Sequence, residues 1–311
     1  MRLFVTGASG FIGRRLLREL LRRGDSVVAL TRRASNLEES GSASGLAENR
    51  LLVLEGDPAE AGAWQQQVAR TDAVLTLAGE PVLGARWSDG FKRRIAHSRV
   101  EAVKRMVDTI GQLPPDQRPS TLISASAVGY YGSHGDEELD EKSPPGTDFL
   151  ARLCVDWEAA AEAASAHGLR VVRLRIGVVL GEGGGALAKM LPAFRAFVGG
   201  PLGPGNQYMP WIHQDDVLGL ILLALQRPEI QGPLNLTAPN PVTMQELAQT
   251  LGAVLHRPAV LSVPAAALKL ALGEAAQTLL GSQRVIPRRA IELGYAFRYP
   301  MLAEALRAVL E

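Results

Sequence analysis

The strongest constraint on this chain is a group of three glycines that separates an apolar strand from an amphipathic helix. In the segment RLFVTGASGFIG, Gly7, Gly10 and Gly13 directly follow the apolar run 2–6. A tight turn there requires the conformational freedom of glycine, and a pyrophosphate can then lie against backbone N–H groups at the positive end of the helix. This spacing between a strand and a helix predicts a dinucleotide site, although glycines spaced in this way also occur by chance in loops.

The residues around this turn are the first predicted cofactor contacts. They are Thr6, Gly7, Ser9, Gly10, Phe11, Ile12 and Gly13. The helix that follows, near 11–23, carries leucines on one face and arginines on the other, so we expect it to pack on a sheet. Gly24 is expected to end it.

Short apolar runs alternate with helical runs over the first two thirds of the chain. Predicted strands lie at 2–6, 26–30, 50–54, 72–78, 120–126 and 169–175, and predicted helices lie near 11–23, 59–69, 88–112 and 148–167. Near-continuous apolar strands separated by helices are typical of a parallel sheet covered on both faces. The predicted fold is therefore α/β, a Rossmann-type doubly wound parallel sheet.

The pattern becomes helical from residue 243 onward, which predicts a smaller, mostly helical C-terminal lobe that binds substrate. We expect the dinucleotide-binding domain to span 1–180 and to include 212–237. The segments 181–211 and 238–311 are then expected to form the substrate and C-terminal lobe.

Three loops stand out by composition. The glycine-rich stretches 181–186 and 199–206 are either ordinary loops or backbone that must lie close to a ligand. The polar stretch 34–49 is rich in serine and glycine, which predicts a mobile surface loop.

Composition narrows the class of partner. The 311 residues carry a formal net charge of +1 without a long basic run, which argues against nucleic acid or a membrane surface. No run approaches ~18 uninterrupted apolar residues, and the first residues lack the apolar core of a signal peptide. One cysteine cannot form an internal disulfide, and no residue spacing indicates a metal site. We expect a cytoplasmic protein whose partner is a small-molecule substrate or none.

The end of the second strand favours NADP(H) over NAD(H). An acidic residue about 20 positions after the glycines hydrogen-bonds the adenine-side ribose of NAD. This chain instead carries Arg32 and Arg33 in VVALTRRAS. A guanidinium suits a 2′-phosphate through its charge and its fork of donors. The alternative is that both arginines are solvated surface charges in an Arg-rich chain.

Further cofactor contacts are predicted after the third and fourth strands. Asp57 either accepts a hydrogen bond from the adenine amino group or caps the following helix, and the two readings are equally open. After the fourth strand, the small residues Ala78 and Gly79 let the backbone pass close to the nicotinamide ribose. Leu77 and Glu80 flank them, with Glu80 at the edge of the site.

Several motifs together resemble the extended branch of the short-chain dehydrogenase/reductase superfamily. The glycine turn, LAGE, SASAVGYYG, RLRIGVVLG and WIHQDD occur in the order which that branch uses. More narrowly, LAGEPV, GYYG, CVDWEAAA, PWIH and LLGSQRVIPRRAIELGYAFRYP are similar to its atypical epimerase family group. The resemblance covers nearly the whole chain and implies a Rossmann fold that binds a nicotinamide cofactor.

The resemblance also implies a Tyr-x-x-x-Lys pair on the helix after the fifth strand, which this chain lacks. In that pair the lysine lowers the pKa of the tyrosine, so that the phenol exchanges a proton with the substrate as hydride moves. The resemblance also implies a glutamate four residues after the lysine, and Glu158 fits that glutamate. Counting back from it places Cys154 at the lysine position and Leu150 at the tyrosine position. With no cationic neighbour in sequence, Cys154 is predicted to be a neutral packing residue rather than a nucleophile.

Three residues are the candidates for catalysis, each with a structural alternative. Ser126, with Ser124 as its neighbour, fits the serine that the resemblance implies after the fifth strand, but it can equally support the strand end. Tyr131, next to Tyr130, can replace the missing acid or be a packed ring. His213 can face the cleft or brace a loop.

Other polar residues near these positions also have two interpretations. Glu80 and Asp215 can also face the cleft, whereas Asp215 and Asp216 begin a helix and can cap it. Met209 stands where nucleotide-sugar enzymes of the branch offer an arginine to the substrate pyrophosphate, which disfavours such a substrate.

Two hypotheses of different classes follow. The first is an NADP(H)-dependent oxidoreductase that acts on a small molecule with a non-standard proton donor. The second is a non-catalytic NADP(H)-binding sensor or regulatory protein, favoured by the missing Tyr–Lys pair. A sugar epimerase is the third possibility.

Overall fold

A parallel sheet occupies the centre of the protein. The computed structural model describes residues 1–34, 37 and 49–311, and most of the stretch 34–49, predicted as a mobile loop, lies outside the described residues. The strands are β1 (Arg2–Thr6), β2 (Ser26–Thr31), β3 (Leu51–Glu55), β4 (Ala73–Thr76), β5 (Thr121–Ala127), β6 (Glu138–Leu139), β7 (Arg170–Ile176), β8 (Val178–Leu180), β9 (Tyr208–Met209), β10 (Trp211–His213), β11 (Gly232–Leu236), β12 (Val242–Thr243) and β13 (Arg284–Val285).

Within the described residues, seven of these strands form the main sheet, in the order β11-β7-β5-β4-β1-β2-β3. Every pairing in it is parallel. The chain leaves β1 towards β2 on one side and later returns to β4 on the other. The carboxyl ends of β1 and β4 therefore border the switch point where open α/β sheets bind ligands.

Helices cover both faces of the sheet and form the C-terminal part. They are α1 (Phe11–Arg22), α2 (Asp89–Ala96), α3 (Ala102–Gln112), α4 (Phe149–Glu162), α5 (Gly185–Arg195), α6 (Gln214–Gln226), α7 (Met244–Leu255), α8 (Ala265–Leu272), α9 (Gln277–Leu280), α10 (Arg288–Glu292) and α11 (Leu302–Leu310). A π-helical segment, His97–Glu101, joins α2 to α3. Short 3₁₀ turns occupy Ala63–Gln67, Pro115–Gln117, Val128–Tyr131, Ala163–His167 and Gly273–Ala276.

The alternation of side chains along the strands produces the two-sided packing. Leu3 and Val5 of β1 join an apolar cluster with leucines of α1 and α6. Phe4, between them, points to the opposite face and packs with residues of α2, α3 and α4. A separate apolar cluster unites β10, α5, α7 and α11 in the C-terminal part. The predicted α/β Rossmann fold is confirmed.

The structure corrects several predicted elements. The helix expected near 59–69 is wrong, because the backbone is extended at Gly62 (φ −172°, ψ 173°) and only a 3₁₀ turn follows. The strand predicted at 72–78 ends at Thr76. The edge strand β11 was not among the predicted strands, since GPLNL is short and begins with glycine and proline, which weaken a strand signal.

In the part of the chain that the structure describes, no helix is both long enough and apolar enough to cross a membrane.

Candidate functional site

The glycine turn after β1 is packed so tightly that no side chain fits at Gly7 or at Gly13. Gly7 has φ +75°. A Cβ on Gly7 would lie 2.6 Å from the backbone nitrogen of Ala78, and one on Gly13 would lie 2.0 Å from the carbonyl oxygen of Gly7. The turn therefore brings β1, the start of α1 and the segment after β4 into direct contact.

The start of α1 fits an anionic group. Gly10 is its N-cap, and glycine offers no side chain to occupy the free N–H groups of the first turn. The first turn contains no acidic residue, and Phe11 and Ile12 are only partly buried. An open helix N-terminus beside a glycine cradle is the arrangement that receives the pyrophosphate of a dinucleotide.

The end of β2 is tied to the glycine turn and presents two guanidinium groups. The hydroxyls of Ser9 and Thr31 lie 3.1 Å apart, and Thr31 also donates to the carbonyl of Arg33 at 3.2 Å. The Arg32 side chain is 71% exposed and its Nη1 lies 3.9 Å from the Glu80 carboxylate. Arg33 is exposed as well. Both arginines can therefore reach a phosphate at the end of β2.

Asp57 stabilises a local turn rather than a helix, because the helix that it was predicted to cap does not form. Its Oδ1 accepts a hydrogen bond from the backbone N–H of Ala59 at 2.9 Å. Its backbone carbonyl accepts from Glu60 at 3.0 Å. Because the side chain is exposed, a contact with adenine stays a prediction.

The segment after β4 runs alongside the glycine turn. The N–H of Ala78 donates to Thr6 Oγ1 at 3.4 Å, and the N–H of Leu77 donates to the Thr6 carbonyl at 3.2 Å. Further along, the Glu80 N–H donates to Ser98 Oγ at 3.0 Å. This backbone borders the same cleft as Gly7.

The two glycine-rich stretches have different surroundings. A Cβ on Gly184 would lie 2.6 Å from the Phe11 ring, so the stretch 181–186 approaches the start of α1 closely. This placement favours the ligand-proximal alternative for that stretch. In 199–206, a Cβ on Gly199 would lie 2.5 Å from the Phe194 ring, which indicates close packing inside the lobe.

The connection from β4 to α2, residues 77–88, also meets the C-terminal part of the chain. Lys189 of α5 donates to the Leu83 carbonyl at 3.2 Å. The Lys92 ammonium, one turn into α2, pairs with the Glu274 carboxylate. This connection therefore links the sheet side of the cleft to the lobe opposite.

Cys154 is a buried neutral thiol, as predicted. It is 3% exposed, and burial raises the pKa of its thiol to about 12. Leu150, at the position expected for the tyrosine, packs beside Gly129. The helix position expected to supply a cation therefore supplies none.

Ser126 has a structural partner instead of a place in the cleft. Its hydroxyl is buried and donates to Glu158 Oε1 at 2.8 Å. Arg175 holds the same carboxylate with two hydrogen bonds, from Nε at 2.8 Å and Nη2 at 2.9 Å. The structure thus supports the alternative that Ser126 stabilises the end of β5, and it gives no support to a catalytic role.

Tyr131 is 0% exposed, which argues against the prediction that it is a proton donor. Its hydroxyl donates to Asn235 Oδ1 at 2.7 Å and accepts from Arg175 Nη1 at 3.0 Å. Burial also raises the pKa of the Tyr131 phenol above its ordinary value. A hydroxyl with both roles filled inside the protein cannot meet a substrate.

His213 braces the start of α6. It is 2% exposed, and its Nδ1 accepts the backbone N–H of Asp215 at 3.1 Å. Its ring centroid lies 3.9 Å from that of Tyr299, and burial lowers the pKa of the imidazole. A neutral capping ring is the structural alternative for His213, so its catalytic role also lacks support.

The two acids that follow His213 tie the C-terminal tail to α6. Asp215 pairs with Arg15 at 2.7 Å and with Arg298 at 3.1 Å. Asp216 is fully buried and accepts the backbone N–H groups of Arg298, at 2.7 Å, and Tyr299, at 3.0 Å. Both lie in the first turn of α6, with His213 as the cap.

Sequence reasoning set Tyr130 beside Tyr131 but did not separate them. Tyr130 is only partly buried, and its ring centroid lies 3.5 Å from the guanidinium carbon of Arg175. Its hydroxyl has no hydrogen-bond partner among the described residues. Adjacent residues in a 3₁₀ turn point in different directions, which spacing along the chain does not reveal.

Arg99 was missed altogether. It lies in the π-helical segment, and its guanidinium rests against Gly79: a Cβ there would be 3.0 Å from Arg99 Cζ. A π segment has no signature in the sequence, so nothing singled out this arginine. Among the described residues, no cluster of His, Cys, Asp and Glu could hold a metal ion.

Comparison with known families gives two matches. The model of the NAD dependent epimerase/dehydratase family matches residues 3–236. A model of a domain of unknown function (DUF1731) matches residues 263–309.

Individual proteins are similar over nearly the full length of this chain. The chain is 45% identical to the Arabidopsis thaliana protein "Epimerase family protein SDR39U1 homolog, chloroplastic", covering 100% of this chain and 87% of that protein. A crystal structure of human epimerase family protein SDR39U1 (isoform 2) with NADPH is 34% identical, with a TM-score of 0.84 and 99% of both chains covered. A nucleoside-diphosphate sugar epimerase from Corynebacterium glutamicum is 32% identical, with a TM-score of 0.75, over 100% of this chain and 58% of that one.

Proposed function

Because this chain belongs to the NAD dependent epimerase/dehydratase family, we propose that it binds NADP(H) at the carboxyl ends of β1, β2 and β4. The observation that carries the proposal is the glycine turn, in which Gly7 and Gly13 leave no room for a Cβ. The open start of α1 would hold the pyrophosphate. The presence of NADPH in the similar human protein is further support.

The phosphorylated form of the cofactor is proposed on the charge at the end of β2. Arg32 and Arg33 are both exposed at the point where the adenine-side ribose is expected. Glu80, 3.9 Å from Arg32, orients one guanidinium without neutralising the pair. A 2′-phosphate would accept charge-assisted hydrogen bonds there.

Titration calorimetry with NADPH and NADH tests this proposal. We expect NADPH to bind at least about tenfold more tightly, since each tenfold corresponds to only ~1.4 kcal/mol. The double variant Arg32→Ala, Arg33→Ala should lose the preference, while Arg18→Ala, on the exposed face of α1, should keep it. Absence of heat with either cofactor would refute cofactor binding, and equal affinities would refute the preference.

We further propose that the protein is an oxidoreductase acting on a small molecule. A bound nicotinamide supplies or accepts the hydride in such a reaction. With Ser126 and Tyr131 committed to buried partners, Tyr130 is the proposed proton donor, through an Oη that has no partner among the described residues. It follows β5 at the carboxyl edge of the sheet, on the same edge as Gly79.

The second candidate is a non-catalytic NADP(H)-binding sensor. The observation in its favour is that Leu150 and Cys154 occupy the positions of the missing pair while the neighbouring hydroxyls are buried. A sugar epimerase comes third, because Met209 packs in the apolar cluster of the lobe where an arginine would meet a substrate pyrophosphate.

Turnover separates the two main candidates. NADPH oxidation should be followed against a panel of aldehydes, ketones and quinones, with Tyr130→Phe as the test variant and Tyr208→Phe as control. An oxidoreductase oxidises NADPH with at least one compound, and Tyr130→Phe slows it by about 100-fold or more. A sensor binds NADPH but shows no NADPH oxidation with any compound of the panel. Its hydrogen exchange or its protein partners change when NADPH binds.

A further inference from the structure

The helix between β4 and β5 is widened where it passes the segment after β4. Residues His97–Glu101 are π-helical between α2 and α3. Such single-turn bulges are rare and are frequent at functional sites. Ser98 fastens this one, since its Oγ accepts the Glu80 N–H at 3.0 Å and donates to the Ile95 carbonyl at 3.0 Å.

The bulge directs Arg99 onto Gly79. A Cβ on Gly79 would lie 3.0 Å from Arg99 Cζ and 3.1 Å from its Nη2. The guanidinium lies 5.3 Å from the Trp157 ring centroid on α4, and its Nη1 donates to the Ile95 carbonyl at 3.3 Å. Its Nε and Nη2 have no hydrogen-bond partner among the described residues, so two donors are available to a ligand.

The positive charge of Arg99 lies close to α4, the helix on which Cys154 occupies the position expected for a lysine. Cys154 and Trp157 are one turn apart on α4, and the Arg99 guanidinium stacks on that helix at Trp157. Burial lowers the pKa of Arg99, whereas Cys154 and Glu80 act in the opposite direction. An arginine remains protonated even so. Glu80 and Cys154 are the titratable groups facing it, and the thiol is neutral.

We propose that Arg99, on the π-helical segment between α2 and α3, is the cation of the nicotinamide half of the site, that it binds the nicotinamide ribose, and that it selects the reduced cofactor. This inference rests on the proposed binding of NADP(H). Nη2 and Nε of Arg99 would donate hydrogen bonds to the ribose hydroxyls of a bound cofactor, beside the backbone of Gly79.

The selection follows from electrostatics. The oxidised nicotinamide ring carries a positive charge and the reduced ring is neutral. A half-buried guanidinium beside the ring therefore repels NADP⁺ more than NADPH, and the Glu80 carboxylate offsets only part of this. Two like unit charges several ångströms apart at a protein surface repel each other strongly enough for a preference of about tenfold.

Calorimetric dissociation constants test this without any turnover. NADPH, NADP⁺ and adenosine 2′,5′-bisphosphate, which lacks the nicotinamide half, are titrated into the wild type, Arg99→Met and Arg99→Lys. Arg93→Met, an exposed arginine on α2, is the control. We expect the wild type to favour NADPH over NADP⁺ about tenfold. Arg99→Met should weaken NADPH about tenfold and abolish the preference, Arg99→Lys should keep part of it, and the bisphosphate should bind all variants equally.

The outcomes separate this inference from the proposed function. Equal preference in wild type and Arg99→Met overturns the role of Arg99 while leaving cofactor binding intact. Loss of bisphosphate binding in both Arg99 variants shows that Arg99 only maintains the fold, which also overturns it. Failure of the wild type to bind any of the three compounds refutes the proposed function itself.

Discussion

At the scale of single residues, the hydrogen-bond partners of each polar group determine whether it is available to a ligand. Ser126, Glu158 and Arg175 form a buried set joined by hydrogen bonds of 2.8–2.9 Å, and Tyr131 bonds to the same arginine at 3.0 Å. A buried acceptor or donor that loses its partner costs about 1–3 kcal/mol, so these groups are held in place and are poor candidates for chemistry.

Cys154 gives a prediction about reactivity. The folded thiol has a pKa of about 12 against an ordinary value of 9.0, so it keeps its proton where an unfolded chain loses it. Its contribution to stability is therefore fully present below about pH 9 and falls as the pH rises towards 12, because the unfolded state then binds fewer protons. Near pH 8.5, iodoacetamide should modify the native protein at least about 100-fold more slowly than the urea-unfolded chain.

Equal rates of alkylation in the native and unfolded protein would contradict this. Cys154→Ala serves as the control for modification at other residues, and it should bind NADPH like the wild type.

The candidate residues show what a sequence can and cannot tell at this scale. The roles of Gly7 and Gly13 could be predicted from the sequence. Their backbone contacts leave no room for a side chain, so the turn requires glycine at both positions. The sequence placed Ser126 and Tyr131 near the carboxyl end of β5, where the structure has them. Their partners, Glu158 and Asn235, are 32 and 104 residues away, and nothing in the local pattern shows that those partners fill the hydroxyls.

At the scale of elements, the glycine turn and α1 act as one unit. Gly10 donates its N–H to the Gly7 carbonyl at 2.9 Å, and α1 packs its leucines on the sheet immediately afterwards. Among the described residues, the apolar runs predicted six of the seven strands of the main sheet, and helical periodicity predicted most of the longer helices, because burial on one or two faces imposes those patterns. The π segment and β11 were not predicted, nor were the short strands outside the main sheet, because contacts with distant parts of the chain define them.

Gly13→Ala tests this unit. Its Cβ would lie 2.0 Å from the Gly7 carbonyl oxygen, so α1 must move away from the turn. We expect a loss of about 1–3 kcal/mol in the free energy of unfolding and at least tenfold weaker NADPH binding. Urea unfolding and calorimetry measure both.

Gly90→Ala is the matched control on α2, where the nearest atom to a Cβ is 3.9 Å away. It should leave NADPH binding unchanged and not destabilise the protein, since alanine favours a helix by about 1 kcal/mol over glycine. A Gly13→Ala protein that binds NADPH like the wild type would contradict the close-contact argument.

At the scale of the whole molecule, the C-terminal tail is built into the sheet domain. β13 pairs in parallel with β6, and Arg289 donates to the Pro233 carbonyl of β11. Asp216 holds the tail at Arg298 and Tyr299. The division into a domain at 1–180 with 212–237 and a separate lobe stays a prediction, but the tail contacts both parts. Sequence periodicity predicted the helices of the tail but could not show which parts of the sheet domain they contact.

Asp216→Ala tests the docking of the tail. It leaves the backbone N–H groups of Arg298 and Tyr299 and the hydroxyl of Tyr295 without their buried acceptor. We expect a loss of about 3 kcal/mol in the free energy of unfolding and faster proteolysis within 295–311. Glu292→Ala, an exposed acid of α10, should change neither. An unchanged cleavage rate for Asp216→Ala would show that other contacts hold the tail.

The pairing of Lys92 with Glu274 makes one contact between distant elements sensitive to salt. It joins α2 to the tail, across the connection that borders the cleft, and Glu274 is 42% exposed. Dissolved ions screen such a contact, with a Debye length of about 10 Å at 0.1 M salt. We therefore expect concentrated salt to weaken this contact between α2 and the segment around Glu274.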